Sequence, residues 1–145
     1  MANETTRRQA LLFVAAGAGA IAFSHATRAA AEPPMAGHDM GSCIAECEKS
    51  NRACLEAARY SLDKGGAHAT PAHVRLLLDC AELCQLTANF MLRGSAVHTV
   101  ACGACADVCE RCADSCASFG GDAVLSACAD TCRTCAKSCR EMAVM

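Results

Sequence analysis

Cysteine recurs along this chain at alternating steps of three and four residues. Cys102, Cys105, Cys109, Cys112 and Cys116 form one run, and Cys128, Cys132, Cys135 and Cys139 a second. Cys43, Cys47 and Cys54, then Cys80 and Cys84, supply the other five of the 14 cysteines. A step averaging about 3.5 residues returns to the same side of an α-helix, so each run marks the inward seam of a packed helix. Thiols therefore stand where Leu and Ile normally build a bundle core. That placement points to an interior made for a soft metal.

Turn and cap signals divide the chain into four helices. The first is predicted from Ser42, a possible N-cap, to Lys64, stopping at Gly65-Gly66. The second opens with Thr70-Pro71 and ends near Arg93-Gly94. The third follows at once from Ser95 and ends at about Ser118; the fourth, capped by Asp122, runs to about Met142. Each would be about 30–36 Å long at roughly 1.5 Å per residue. Short connections make neighbours antiparallel, and no strand-like alternation competes. The expected fold is all-α: an antiparallel up-down-up-down four-helix bundle with a cysteine-lined core. Besides cysteine, the seams take Met40, Asn51, Ala58 and Leu62, then His73, Leu77, Thr87 and Met91, then His98 and Phe119, then Leu125 and Met142.

Residues 1–31 read as a twin-arginine signal peptide: Arg7-Arg8, an apolar stretch through Phe23, and Ala29-Ala30-Ala31 before Glu32. The stretch is short for a membrane span. Residues 32–41, with Pro33-Pro34 and two glycines, read as a flexible tail, which leaves 42–145 for the bundle. This leader class carries folded proteins, so a periplasmic or otherwise extracytoplasmic protein is expected. Losing three arginines and Glu4 with the leader takes the net charge from −2 to −4, which offers no footprint for nucleic acid. No second hydrophobic segment suggests a membrane span. Beyond the leader the aromatics are Tyr60, Phe90 and Phe119, with no Trp, so the core lacks bulk and asks for a staple.

Four chemistries compete for the thiols. Disulfides suit an exported chain with an even cysteine count, but cysteines one turn apart on a helix face rarely reach disulfide geometry. Bridges between helices stay open, and with them a disulfide-stapled interaction module. Zinc matches the Cys102/Cys105 and Cys109/Cys112 pairs, yet a four-thiolate zinc keeps two negative charges and no Lys or Arg lies on the seams to offset them. Iron–sulfur clusters find the C-x3-C-x2-C spacing at Cys105/Cys109/Cys112 and Cys128/Cys132/Cys135, but on helices of a short chain and without the ferredoxin pattern. Cu(I) prefers thiolate and thioether ligands. With bridging thiolates, about one copper per cysteine leaves the core near neutral, and capacity approaches the cysteine count of 14.

In this topology Met40, Met91, His98 and Met142 fall at one end, a candidate mouth for Cu(I), with Met35 and His38 on the preceding tail. Tyr60, Leu62, Leu77, Phe119 and Leu125 fall at the other as an apolar plug, with His68 and His73 nearby in surface or capping roles. No Ser/His/Asp set or carboxylate pair lies on the inward faces, so no enzyme activity is expected. An oxidoreductase would need an exposed thiol near a helix N-terminus, and Cys43 has that location.

The leader followed by these cysteine-lined helices resembles the bacterial copper storage proteins, over residues 40–142 and chiefly at 102–116 and 128–139. The resemblance implies a bundle filled with Cu(I)–thiolate sites, in which all 14 cysteines are ligands and the Met and His residues of one end form the mouth. It further implies a homotetramer that sequesters copper ions, exchanging them with a copper chaperone or a copper enzyme acceptor. The leader matches the exported branch of that family.

Overall fold

The computed structural model describes residues 39–145. The leader, Met35 and His38 lie outside the described residues. Helix α1 spans Met40–Lys64, α2 Pro71–Leu92, α3 His98–Ala117 and α4 Ala123–Ala143, and a single 3-10 turn at Gly66–Ala69 precedes α2. Each helix packs on two others, α1 on α2 and α4, and α3 on α2 and α4. This is the expected antiparallel four-helix bundle.

Two helix starts differ from the expectation. Helix α1 begins at Met40, not at Ser42, because Asp39 is the cap: its Oδ1 accepts from the Gly41 N–H at 3.2 Å. Met40 and Gly41 therefore belong to the bundle and not to the tail. Helix α3 begins at His98, not Ser95. At the end of α2, Gly94 takes a φ of +62°, and the N–H of Ser95 returns to the Phe90 carbonyl at 2.9 Å, so three residues are spent on the turn. Pro71 opens α2 as expected, and Asp122 caps α4 through the N–H groups of Val124 and Leu125, each at 3.1 Å.

The core is small side chains and sulfur. Its largest fully buried residues are Leu77, Leu125, Met142 and Thr87, followed by cysteines, with alanines such as Ala81, Ala106, Ala113 and Ala136 between them. Alanine lets helices approach closely but contributes little apolar area, so stability from burial alone is modest. Several salt bridges lie on the outside, as where Arg140 of α4 meets Glu110 and Asp107 of α3; such exposed pairs add little.

Leu62 does not join the plug; it is 58% exposed. From Cys54 the inward side passes through Ala57, Ala58 and Ser61, and a residue eight positions on from Cys54 has rotated by about 80° at 3.6 residues per turn. Asn51 is likewise off the seam. It is half-buried and donates its Nδ2 proton to the Ala81 carbonyl at 2.8 Å, tying α1 to α2, while Ser50 takes the inward position.

Candidate metal centre

All 14 cysteines are buried and none is in a disulfide. Thiol–thiol contacts of 3.4–3.9 Å run from the α1–α2 hairpin to the α3–α4 hairpin: Cys43 and Cys47 to Cys139, Cys54 to Cys132, Cys80 and Cys84 to Cys109. Cys54 also reaches Cys112 at 3.8 Å, across the diagonal of the bundle, so sulfur fills its axis. A disulfide sulfur pair is about 2.05 Å apart. These sulfurs are unbonded thiols, close enough together for several to reach one ion.

Five groups of thiols have their Sγ atoms within 4.8 Å of one another, and together they include every cysteine. Cys43, Cys102 and Cys139 form the first. Cys47, Cys105, Cys135 and Cys139 form the second, and Cys84, Cys105, Cys109 and Cys135 the third. Cys54, Cys80, Cys112 and Cys132 make the fourth, and Cys112, Cys116 and Cys128 the fifth. Members are shared: Cys139 belongs to two groups, as do Cys105, Cys135 and Cys112. Sharing suits bridging thiolates and a multinuclear cluster better than separate closed zinc sites. Among the described residues the buried polar ones are Ser50, Ser61, His73, Thr87 and Ser138, and none of the described Lys or Arg residues enters the column to balance a surplus of negative charge.

Protons are unevenly held along the column. Contact with Cys139, then Cys43, keeps Cys102 protonated well above the usual thiol range. Contact first with Cys105 does the same for Cys109 and for Cys135. Hydrogen bonding from Cys109 pulls Cys105 down. At the far end Cys116 is pulled down to about 4, first by Cys112 and then by Cys128. Burial opposes ionisation at each of them. Cys43 is also lowered, first by Cys102, but it is fully buried and so lacks the exposure an attacking thiol needs.

The residues placed at the mouth lie one turn beyond the first thiol group. Met91 is buried with its Sδ 3.9 Å from Cys102 Sγ, and Met142 is buried one turn past Cys139. Met40 is half-buried against the core one turn before Cys43. His98, half-buried, sets its Nδ1 2.8 Å from the Ser95 carbonyl, which makes Nδ1 the protonated nitrogen and leaves the Nε2 lone pair as the ring's donor atom.

The opposite end is closed by Leu77, Leu125, Tyr60 and Phe119. His73 is not on the surface there. It is 4% exposed, with Nδ1 2.8 Å from Ser115 Oγ and Nε2 3.4 Å from Ser61 Oγ, and burial lowers its pKa. Phe119 lies against both His73 and His68, ring centroids 4.7 and 4.5 Å away. Asp122 accepts from Tyr60 at 2.8 Å and from Lys64, whose ammonium is the main reason its carboxyl is held well below the usual range. Ser50 and Ser138 are inward residues that the cysteine pattern alone passes over. Their signal is arithmetic: Ser50 stands three after Cys47 and four before Cys54, and Ser138 three after Cys135.

A family model for copper storage proteins matches residues 36–144. A solved protein of Nitrosospira multiformis is 42% identical with a TM-score of 0.69, covering 72% of this chain and 94% of that one. The Cu(I)-bound copper storage protein BsCsp3, of Bacillus subtilis, is 33% identical with a TM-score of 0.67, covering 71% of this chain and 96% of its own. A cytosolic copper storage protein from Streptomyces lividans, solved during copper loading with five coppers, is 31% identical with a TM-score of 0.64, covering 73% and 92%.

Proposed function

Because the chain belongs to the copper storage protein family, we propose that it binds many Cu(I) ions in its thiol column and stores them for sequestration and supply, without catalysing a reaction. The overlap of five thiol groups that together use every cysteine carries this reading. Each step exchanges a proton for a metal: a cysteine S–H loses H⁺, a Cu–S bond forms, and a second thiolate completes the coordination. Because a thiol must give up its proton to bind Cu(I), retention of copper strengthens as pH rises and weakens as it falls.

Met40, Met91, His98 and Met142 serve in this reading as the mouth, handing Cu(I) to Cys43, Cys102 and Cys139. Their soft or borderline donors and their position one turn outside that trio support the role. We further propose export through the leader at 1–31; the family match begins at residue 36, past the leader and within the tail. No described helix is long and apolar enough to cross a membrane. The assembly proposed for the folded protein is a homotetramer, and its exchange partners are a copper chaperone or a copper enzyme.

One titration tests storage and mouth together. The reduced leaderless protein, titrated anaerobically with Cu(I) against a competing chelator, is expected to hold more than ten ions, approaching the thiol count of 14. Retention of only one or two overturns the reading. Replacing Met40, Met91, His98 and Met142 together should slow loading severalfold while capacity changes little. Halved capacity at an unchanged rate rejects the mouth.

A further inference from the structure

By the sulfurs they share, the five thiol groups fall into two sets. Cys54, Cys80, Cys112, Cys116, Cys128 and Cys132 form one set toward the closed end, and the remaining eight form the other toward the mouth. Each set is continuous through its shared members, Cys112 in the first and Cys105, Cys135 and Cys139 in the second. The boundary passes between Cys80 and Cys84 on α2, between Cys109 and Cys112 on α3, and between Cys132 and Cys135 on α4. On α1 it falls between Cys47 and Cys54, and the residue there is Ser50.

Ser50 is fully buried, and its Oγ touches sulfur from both sets, 3.9 Å from Cys109 and 3.5 Å from Cys132. A thiol in that place would keep the three-four rhythm of α1 and supply a bridging ligand at the boundary. A neutral hydroxyl is a poor ligand for soft Cu(I). It can still donate a hydrogen bond to a thiolate on either side, so the position stays polar and satisfied without joining the sets. Sulfur-to-sulfur passage is left to Cys109, which lies 3.6 Å from Cys80 and also hydrogen-bonds with Cys132.

We propose that Ser50 divides the stored copper into two pools, a mouth-side pool on eight thiols and a closed-end reserve on six, connected through Cys109 and its neighbours Cys80 and Cys132. This rests on the copper reading above. It gives one core a pool that exchanges early and another that is held back.

The test maps thiol protection in a partly loaded state. Leaderless protein is loaded anaerobically with Cu(I) to half capacity, alkylated, and its modified cysteines are located by mass spectrometry, for the native chain, S50A and S50C. The native chain and S50A are expected to protect one set at least threefold more than the other. In S50C the added thiol should erase that contrast and raise capacity. Equal protection of both sets in the native chain overturns the partition, and so does an unchanged contrast in a folded S50C. If S50C does not fold, the native chain and S50A decide. A total capacity of one or two ions would instead overturn the copper reading itself.

Discussion

Loading with Cu(I) will raise the thermal unfolding midpoint by at least about 15 °C, and the rise will grow with each ion until the column is full. The sulfurs that would share an ion come from both hairpins, as Cys54 and Cys132 or Cys84 and Cys109 do. Bound metal therefore ties the two halves of the bundle together, and the unfolded chain cannot present those ligands at once. A single site at a thousandfold excess of free ligand over Kd stabilises by about 4 kcal/mol. For a domain of roughly 100 residues each kcal/mol moves the midpoint by about 4–8 °C. Circular dichroism melts at increasing copper content, with total metal measured on the same samples, will check it. A midpoint that stays flat while copper is bound would place the metal on the outside of the bundle and reject the column as its site.

The effect should be large because the metal-free core is thin. Thiol and methyl groups occupy most of the interior, and among the described residues only Leu77, Leu125 and Met142 are larger hydrophobics with fully buried side chains. Composition showed this deficit directly, since a chain without Trp and with few Phe and Tyr has little else to bury. The helices were legible for a related reason. Thiol seams, Pro71 and the glycines at 65 and 94 all report backbone geometry, which local sequence encodes.

What escaped was the setting of residues between the seams. Asn51 and Ser50 are adjacent and both polar, and the choice between them depends on which meets α2 and which meets sulfur. His73 falls on the α2 seam by spacing but reads as a surface or capping residue because histidine is polar, yet Ser61 and Ser115 come from two other helices to satisfy its ring. A buried polar group is tolerated when tertiary partners meet it, and sequence spacing along one helix does not show partners on the next. The α3 start moved from Ser95 to His98 for a similar reason: the turn is closed by a bond back to Phe90. Copper was legible because its requirement is for number and softness of ligands, which a sequence displays, and the packing adds how those ligands are shared.

Leu77 and Leu62 provide the clearest contrast between the two levels. Both read as parts of an apolar plug, but Leu77 is fully buried and Leu62 is 58% exposed. Leu77→Ala in the metal-free protein should cost about 2–5 kcal/mol, through lost transfer energy and the cavity left between rigid helices. At about 4–8 °C per kcal/mol the midpoint falls by roughly 8–40 °C. Leu62→Ala should stay within about 0.5 kcal/mol, as exposed substitutions do. Saturating Cu(I) should lift the Leu77→Ala midpoint back above that of the metal-free native chain, because the ions join the hairpins independently of the plug. Paired melts of both variants with and without copper decide the matter. Equal losses for the two leucines would show that α1 is rotated from the position described. A Leu77→Ala protein that copper cannot rescue would show that the plug must be intact before the thiols can assemble around metal.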